Sequence, residues 1–74
     1  SRGRAMRLLV VGGGGFVGGR TVRLALARGA EVAVLEASGR AGRIADLAGH
    51  VDLIEGAAFD EALRRARPDA VIWA

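Results

Sequence analysis

Short apolar runs alternate with amphipathic stretches along the whole chain. Arg7-Leu8-Leu9-Val10-Val11 is a branched apolar run stopped by glycine, the pattern of a strand buried on both faces. From Phe16 to Arg28 the apolar positions Val17, Val22, Leu24, Ala25 and Leu26 fit a helix, and Gly29 is placed to end it in a left-handed conformation. Glu31 to Glu36 predicts a second strand. A weaker, alanine-rich helix is predicted over about Arg40 to Ala48, with Ile44 and Leu47 on one side and Gly49 as its stop. Val51 to Glu55 predicts a third strand that ends at Gly56. A helix follows from about Asp60, whose carboxylate is placed to accept the free amides of the first turn. Pro68 closes it, and Asp69 to Ala74 carries a fourth strand, Ala70-Val71-Ile72-Trp73. The order β-α-β-α-β-α-β implies an α/β domain of parallel strands joined by right-handed crossovers, with helices on both faces.

Length changes this picture first. Seventy-four residues make one small domain and exclude a two-domain enzyme. A core of this size rarely supplies more than ~3–5 kcal/mol. The chain has no cysteine, which excludes a disulfide scaffold, a thiolate metal site and a thiol nucleophile, and suits a cytoplasmic protein. A hydrophobic fraction of 51% argues for a packed core, whereas 4% aromatics argue against a base-stacking surface. The net charge of +3 comes from eleven arginines, with no lysine, against eight acids. Arg2, Arg4 and Arg7 crowd the N-terminus and the others are scattered among acids, so no nucleic-acid partner is expected. Ser1 to Ala5 read as a basic lead-in, leaving residues 6–74 as the domain. No apolar run approaches the roughly 18 residues of a membrane span, and no signal-peptide core is present.

The most informative stretch is Val11-Gly12-Gly13-Gly14-Gly15-Phe16-Val17-Gly18, between the first strand and the first helix. A helix N-terminus presents unpaired amides and a partial positive charge, and glycines let an anion approach that backbone. Two spacings fit at once: G-x-G-x-x-G through Gly13, Gly15 and Gly18, and G-x-x-G-x-x-G through Gly12, Gly15 and Gly18. Spacing alone does not choose between them. An acid about 20 residues further on strengthens a dinucleotide reading, and Glu36 stands eighteen residues after Gly18 at the end of the second strand. A P-loop is excluded, because the Gly-Lys-Ser/Thr ending is missing.

Met6 to Gly18 resembles the opening of the NAD-dependent epimerase/dehydratases, the extended short-chain dehydrogenase/reductases. In that family an aromatic and an aliphatic residue precede the last glycine, as in Gly15-Phe16-Val17-Gly18, which selects Gly12, Gly15 and Gly18 as the fingerprint. Ala30 to Glu36 is similar to the family's second strand with its terminal acid, and Pro68 to Ala74 is similar to its fourth. The resemblance implies a half-Rossmann sheet in the order 3-2-1-4, where strand-helix alternation alone admits other parallel sheets. It further implies a cofactor-binding set of Gly12, Gly14, Gly15, Phe16, Val17, Gly18, Glu36, Ser38, Arg40, Ala57, Ala58 and Ala74. Within that set, the amides of Phe16 and Val17 hold the pyrophosphate, and Glu36 accepts the ribose hydroxyls. The family's Gly-Asp pair after the third strand is here Gly56-Ala57, which removes a hydrogen bond to adenine. Arg40 and Arg43 could pair with the 2′-phosphate of NADP, but Glu36 would repel it, so NAD is the expected cofactor and NADP the other candidate.

The family's catalytic Tyr-x-x-x-Lys pair has no counterpart, since the chain contains neither tyrosine nor lysine. No residue here inherits catalysis, and the implied role is cofactor binding for an oxidoreductase acting on a nucleotide sugar or similar substrate. His50 reads as a surface loop residue; Asp60 and Glu61 as partners of a helix dipole; and Arg64, Arg65 and Arg67 as charges near a helix C-terminus. In the doubly wound order the fourth strand pairs with a fifth, so an apolar edge at Val71 to Trp73 is expected to be open. Self-association along that edge, or a missing C-terminal half, follows as an expectation. The alternatives in other function classes are a non-catalytic interaction or regulatory module, and a truncated fragment that has kept the fold.

Overall fold

The computed structural model describes residues 4–74. Its elements run β1 (Arg7–Val11), α1 (Phe16–Ala27), β2 (Glu31–Glu36), a 3-10 helix (Gly42–Leu47), β3 (Asp52–Glu55), α2 (Phe59–Ala66) and β4 (Ala70–Trp73). The four strands form one parallel sheet in the order β3-β2-β1-β4. This is the expected half-Rossmann arrangement. Of the N-terminal lead-in, Ser1 to Gly3 lie outside the described residues, whereas Arg4 takes part in the fold.

The pleat sends alternate side chains of each strand to opposite faces, and each face has its own core. Val10, Val32 and Val34 meet Val22 of α1 and Ile44 of the 3-10 helix on one side. Leu9, Ala33, Leu35 and Ile54 meet Ala62 of α2 on the other. Leu9, Val10, Val22, Val34 and Ala62 have no exposed surface at all. At roughly 1.5–3 kcal/mol for each fully buried aliphatic side chain, these two small layers oppose the conformational entropy of the chain.

Three local expectations are corrected. The helix over Arg40 to Ala48 is a 3-10 segment, interrupted at Ile44 (φ −116°, ψ 21°). Gly39, Gly42 and Gly49 punctuate a stretch too short to nucleate an α-helix, and the backbone bends so that Ile44 reaches the core at 2% exposure. Asp60 is not a cap: α2 starts one residue earlier behind Ala58, which makes no side-chain capping bond. Phe59 joins that first turn and packs against Trp73 at 4.9 Å between ring centroids, leaving Asp60 to pair with Arg64. Along α1, Val22 faces the sheet but Val17 and Leu24 are exposed, because the buried Gly18 and Gly19 set the helix directly on the glycine turn.

β1 and β4 are joined at their starts by Asp69. Its carboxylate accepts from both Arg4 terminal nitrogens at 3.2 and 3.0 Å and from the Arg7 amide at 2.8 Å. The Arg4 guanidinium, then the Arg7 amide, hold the Asp69 carboxyl below its ordinary 3.8, at about 2. A folded pKa below the unfolded one means that this contribution is present above about 3.8 and is lost as pH falls through about 2. Urea titrations across that window should show Asp69→Asn losing part of the wild-type acid sensitivity. An identical pH profile in the two proteins would show that the junction contributes nothing.

Candidate functional site

β1 ends into the glycine turn, and Gly12 continues the sheet by donating its amide to the Leu35 carbonyl at 2.8 Å. It then turns with φ +81°, a conformation that disfavours any side chain. The turn is packed down rather than free. A Cβ on Gly13 would stand 2.7 Å from Val34 Cγ1, and one on Gly14 would stand 2.6 Å from the Arg40 carbonyl oxygen. A Cβ on Gly18 would collide with the Gly12 carbonyl oxygen and the Gly13 Cα. Gly15 differs: its Cβ would make only ordinary contact, 3.6 Å from the Gly12 carbonyl oxygen, and the residue is exposed.

Gly15 is the N-cap of α1, with extended geometry and no side chain to cap the helix. No acid lies in the first turn, so nothing on the helix itself neutralises its positive end. Phe16 and Val17, which follow, are 61% and 64% exposed. The Arg20 and Arg43 guanidinium carbons lie 5.2 and 5.7 Å from the Phe16 ring centroid, which holds that ring beside the turn.

At the end of β2, Glu36 reaches back to the turn. One carboxylate oxygen accepts the Gly14 amide at 3.0 Å and the other accepts the Ala37 amide at 2.8 Å. Glu36 stands between two shallow clefts. One, of ≈ 520 Å³, is lined by Gly14, Gly15, Glu36, Gly39, Arg40, Gly42 and Arg43. The other, of ≈ 410 Å³, is lined by Val11, Gly12, Leu35, Glu36, Ala37, Gly56 and Ala57. Ser38 leans over Gly56, its Oγ 2.6 Å from where a Cβ would be, and Ala58 follows as the start of α2. Ala74 donates to the Val11 carbonyl at 3.0 Å and brings its own carbonyl oxygen beside Gly12.

All twelve residues named from the sequence therefore gather at the C-terminal edge of the sheet, where doubly wound proteins bind ligands. Of the glycines in the two spacings, Gly12 turns with a left-handed backbone at the strand end, Gly13 and Gly18 leave no room for a Cβ, and Gly15 opens to solvent. The sequence profile of the NAD dependent epimerase/dehydratase family matches residues 8–74. The chain belongs to the NAD-dependent epimerase/dehydratase family. Among solved structures, this epimerase/dehydratase chain is similar to the Bordetella bronchiseptica enzyme WbmG in complex with NAD. The identity is 30% over 99% of this chain, with a TM-score of 0.75. The match spans 26% of the length of WbmG. No curated protein matches the chain.

Two contacts around the turn of this epimerase/dehydratase chain go beyond the sequence reading. Gly13 lies so close to the core that a Cβ there would stand 2.7, 3.1 and 3.3 Å from Val34, Val22 and Val10, a constraint that four consecutive glycines hide. Glu55, at the end of β3, accepts the Gly39 amide at 3.1 Å. The available signal was that both β2 and β3 end in glutamate. Among the described residues no cluster of His, Cys, Asp or Glu is arranged to hold a metal ion, and no helix is long and apolar enough to cross a membrane.

Proposed function

We propose that the chain binds the adenosine-pyrophosphate part of NAD and serves as the cofactor-binding portion of an oxidoreductase acting on a nucleotide sugar or a similar hydroxyl or carbonyl substrate. The observation that carries this reading is the glycine turn. The other glycines of the turn are packed against the fold, while Gly15 opens onto solvent beside a helix end whose first turn carries no acid. A phosphate oxygen placed there takes the amides of Phe16 and Val17. Glu36 retains lone pairs beyond those used by Gly14 and Ala37, enough to accept ribose hydroxyls. Ala57 lines the cleft assigned to adenine, with Ser38 over the adjoining Gly56 and Ala58 next in the chain; Ala74, beside Gly12, is assigned to the path toward nicotinamide and Arg40 to the flank of the ribose. The chemistry that NAD brings is hydride transfer; these residues bind and orient it. Glu36 lines both clefts, and its charge opposes a 2′-phosphate, which favours NAD over NADP.

The same reading extends to association of two copies along β4. None of Ala70, Val71, Ile72 and Trp73 is charged, and Trp73 is 67% exposed, whereas the opposite edge strand β3 carries Asp52 and Glu55. Charged edges resist pairing with another chain, and uncharged apolar ones invite it.

Calorimetric titration with NAD and then NADP, at a concentration where sedimentation has fixed the oligomeric state, tests both parts. Expected are saturable binding, tighter for NAD, an affinity lowered about tenfold by Glu36→Ala through loss of a charged acceptor, and a shift toward single copies in Trp73→Lys. Absence of binding by a folded chain would overturn the cofactor reading. It would favour a non-catalytic interaction module, a role with which the Ala57 departure is consistent.

A further inference from the structure

We infer that Glu55 is a positioning residue of the dinucleotide cleft, acting through Gly39 and the Arg40 carbonyl on Gly14; the inference rests on the cofactor reading above. β2 and β3 end side by side, with Glu36 and Glu55 in facing register. Like charges opposite each other across strands repel unless something holds them. Here each carboxylate is held by a glycine amide from the loop that leaves the neighbouring strand. Glu36 takes Gly14, after β1, and Glu55 takes Gly39, after β2. Gly39 turns with φ +79°, and the Arg40 amide closes that turn on the Ala37 carbonyl at 3.1 Å.

The turn delivers the Arg40 carbonyl to the flank of Gly14, where a Cβ would stand 2.6 Å from its oxygen and 2.9 Å from Glu36 Oε2. Gly14 is thus gripped from two sides. The grip closes a path that runs from Glu55 through Gly39, Arg40 and Gly14 to Glu36, across the ends of three strands. Glu55 lines neither cleft, so it sets the loop that borders the cofactor without touching it.

The two glutamates differ in a way that an experiment reads. Glu55 accepts a single amide, and a glutamine oxygen does the same. Glu36 accepts two amides on two oxygens, which a glutamine cannot. Amide hydrogen exchange by NMR, together with NAD affinity, is to be measured for Glu55→Ala, Glu55→Gln and Glu36→Gln. Glu55→Ala should accelerate exchange at both Gly39 and Gly14 about tenfold, the worth of one hydrogen bond to a charged group, and should weaken NAD by about threefold to tenfold. Glu55→Gln should restore both readouts, and Glu36→Gln should restore neither. Wild-type exchange at Gly14 in Glu55→Ala, or a glutamine at position 55 that behaves like alanine, overturns the inference. If Glu55→Ala loses protection throughout the sheet, Glu55→Ser is read in its place by the same criteria. Should the wild-type chain not bind NAD, the exchange measurements still decide whether Glu55 positions Gly14, separately from the cofactor reading.

Discussion

Replacing Gly18 by alanine is expected to remove most of the chain's stability. The added methyl group would overlap the Gly12 carbonyl oxygen and the Gly13 Cα, both backbone atoms held by the sheet and by the turn. A side chain in the way can change rotamer, whereas backbone locked into a β-ladder cannot. Relief requires α1 to move off the turn, and overpacking of this kind costs about 3 kcal/mol. That is most of the roughly 3–5 kcal/mol that a core of this size supplies. The neighbouring substitution is the control. An alanine methyl at Gly19 would lie 3.5 Å from Ile44 Cγ2, an ordinary contact, and it sits inside a helix where alanine is preferred by about 1 kcal/mol. Thermal melts followed by circular dichroism should therefore move in opposite directions for two adjacent glycines. A cooperative, wild-type-like melt for Gly18→Ala would show that the helix and turn are not in the contact described.

Gly15→Asp is expected to do the reverse, abolishing dinucleotide binding while leaving the fold intact or slightly more stable. Gly15 has the extended backbone of an N-cap, and its Cβ direction is open. Aspartate is a preferred residue there, with an advantage over glycine of a few tenths of a kcal/mol. Its carboxylate gains this by accepting the first-turn amides and by facing the positive helix end. Those are the groups assigned to the pyrophosphate. The variant fills the anion site with an anion of its own, so affinity for NAD should fall at least ~100-fold, from lost charged hydrogen bonds and added repulsion. Calorimetry beside a melting curve checks both halves. Retained NAD affinity in a folded Gly15→Asp protein would move the pyrophosphate away from α1.

Much of this architecture was legible before any coordinates. β1 and β2 begin and end where their branched apolar runs do, because glycine or an acid interrupts each run. The strand order followed from the family resemblance, and the parallel direction from alternation with helices. What was not legible depends on contacts between segments far apart in the chain. The segment around Ile44 looks helical by periodicity, yet it is shaped by one side chain reaching the core between three glycines. Asp60 looks like a cap, but the helix starts one residue before it, at Phe59, whose ring packs on Trp73. The sequence leads one to expect Glu36 to accept ribose hydroxyls. That its carboxylate also fastens the Gly14 amide, and that Glu55 repeats the device one strand over, requires knowing which loops lie beside which strand ends.

The junction at Asp69 also bears on the order in which the molecule assembles. β1, α1 and β2 are consecutive, so their pairing closes short loops, whereas the Arg7 amide meets the Asp69 carboxylate across 62 positions. Long closures carry the larger entropic penalty and form late. The fourth strand is thus expected to dock last and leave first, and it carries the chain's single tryptophan. Intrinsic fluorescence of this protein consequently reports β4 from its far end, where Trp73 packs on Phe59 and stands in register with Val11, the residue from which the glycine turn leaves β1.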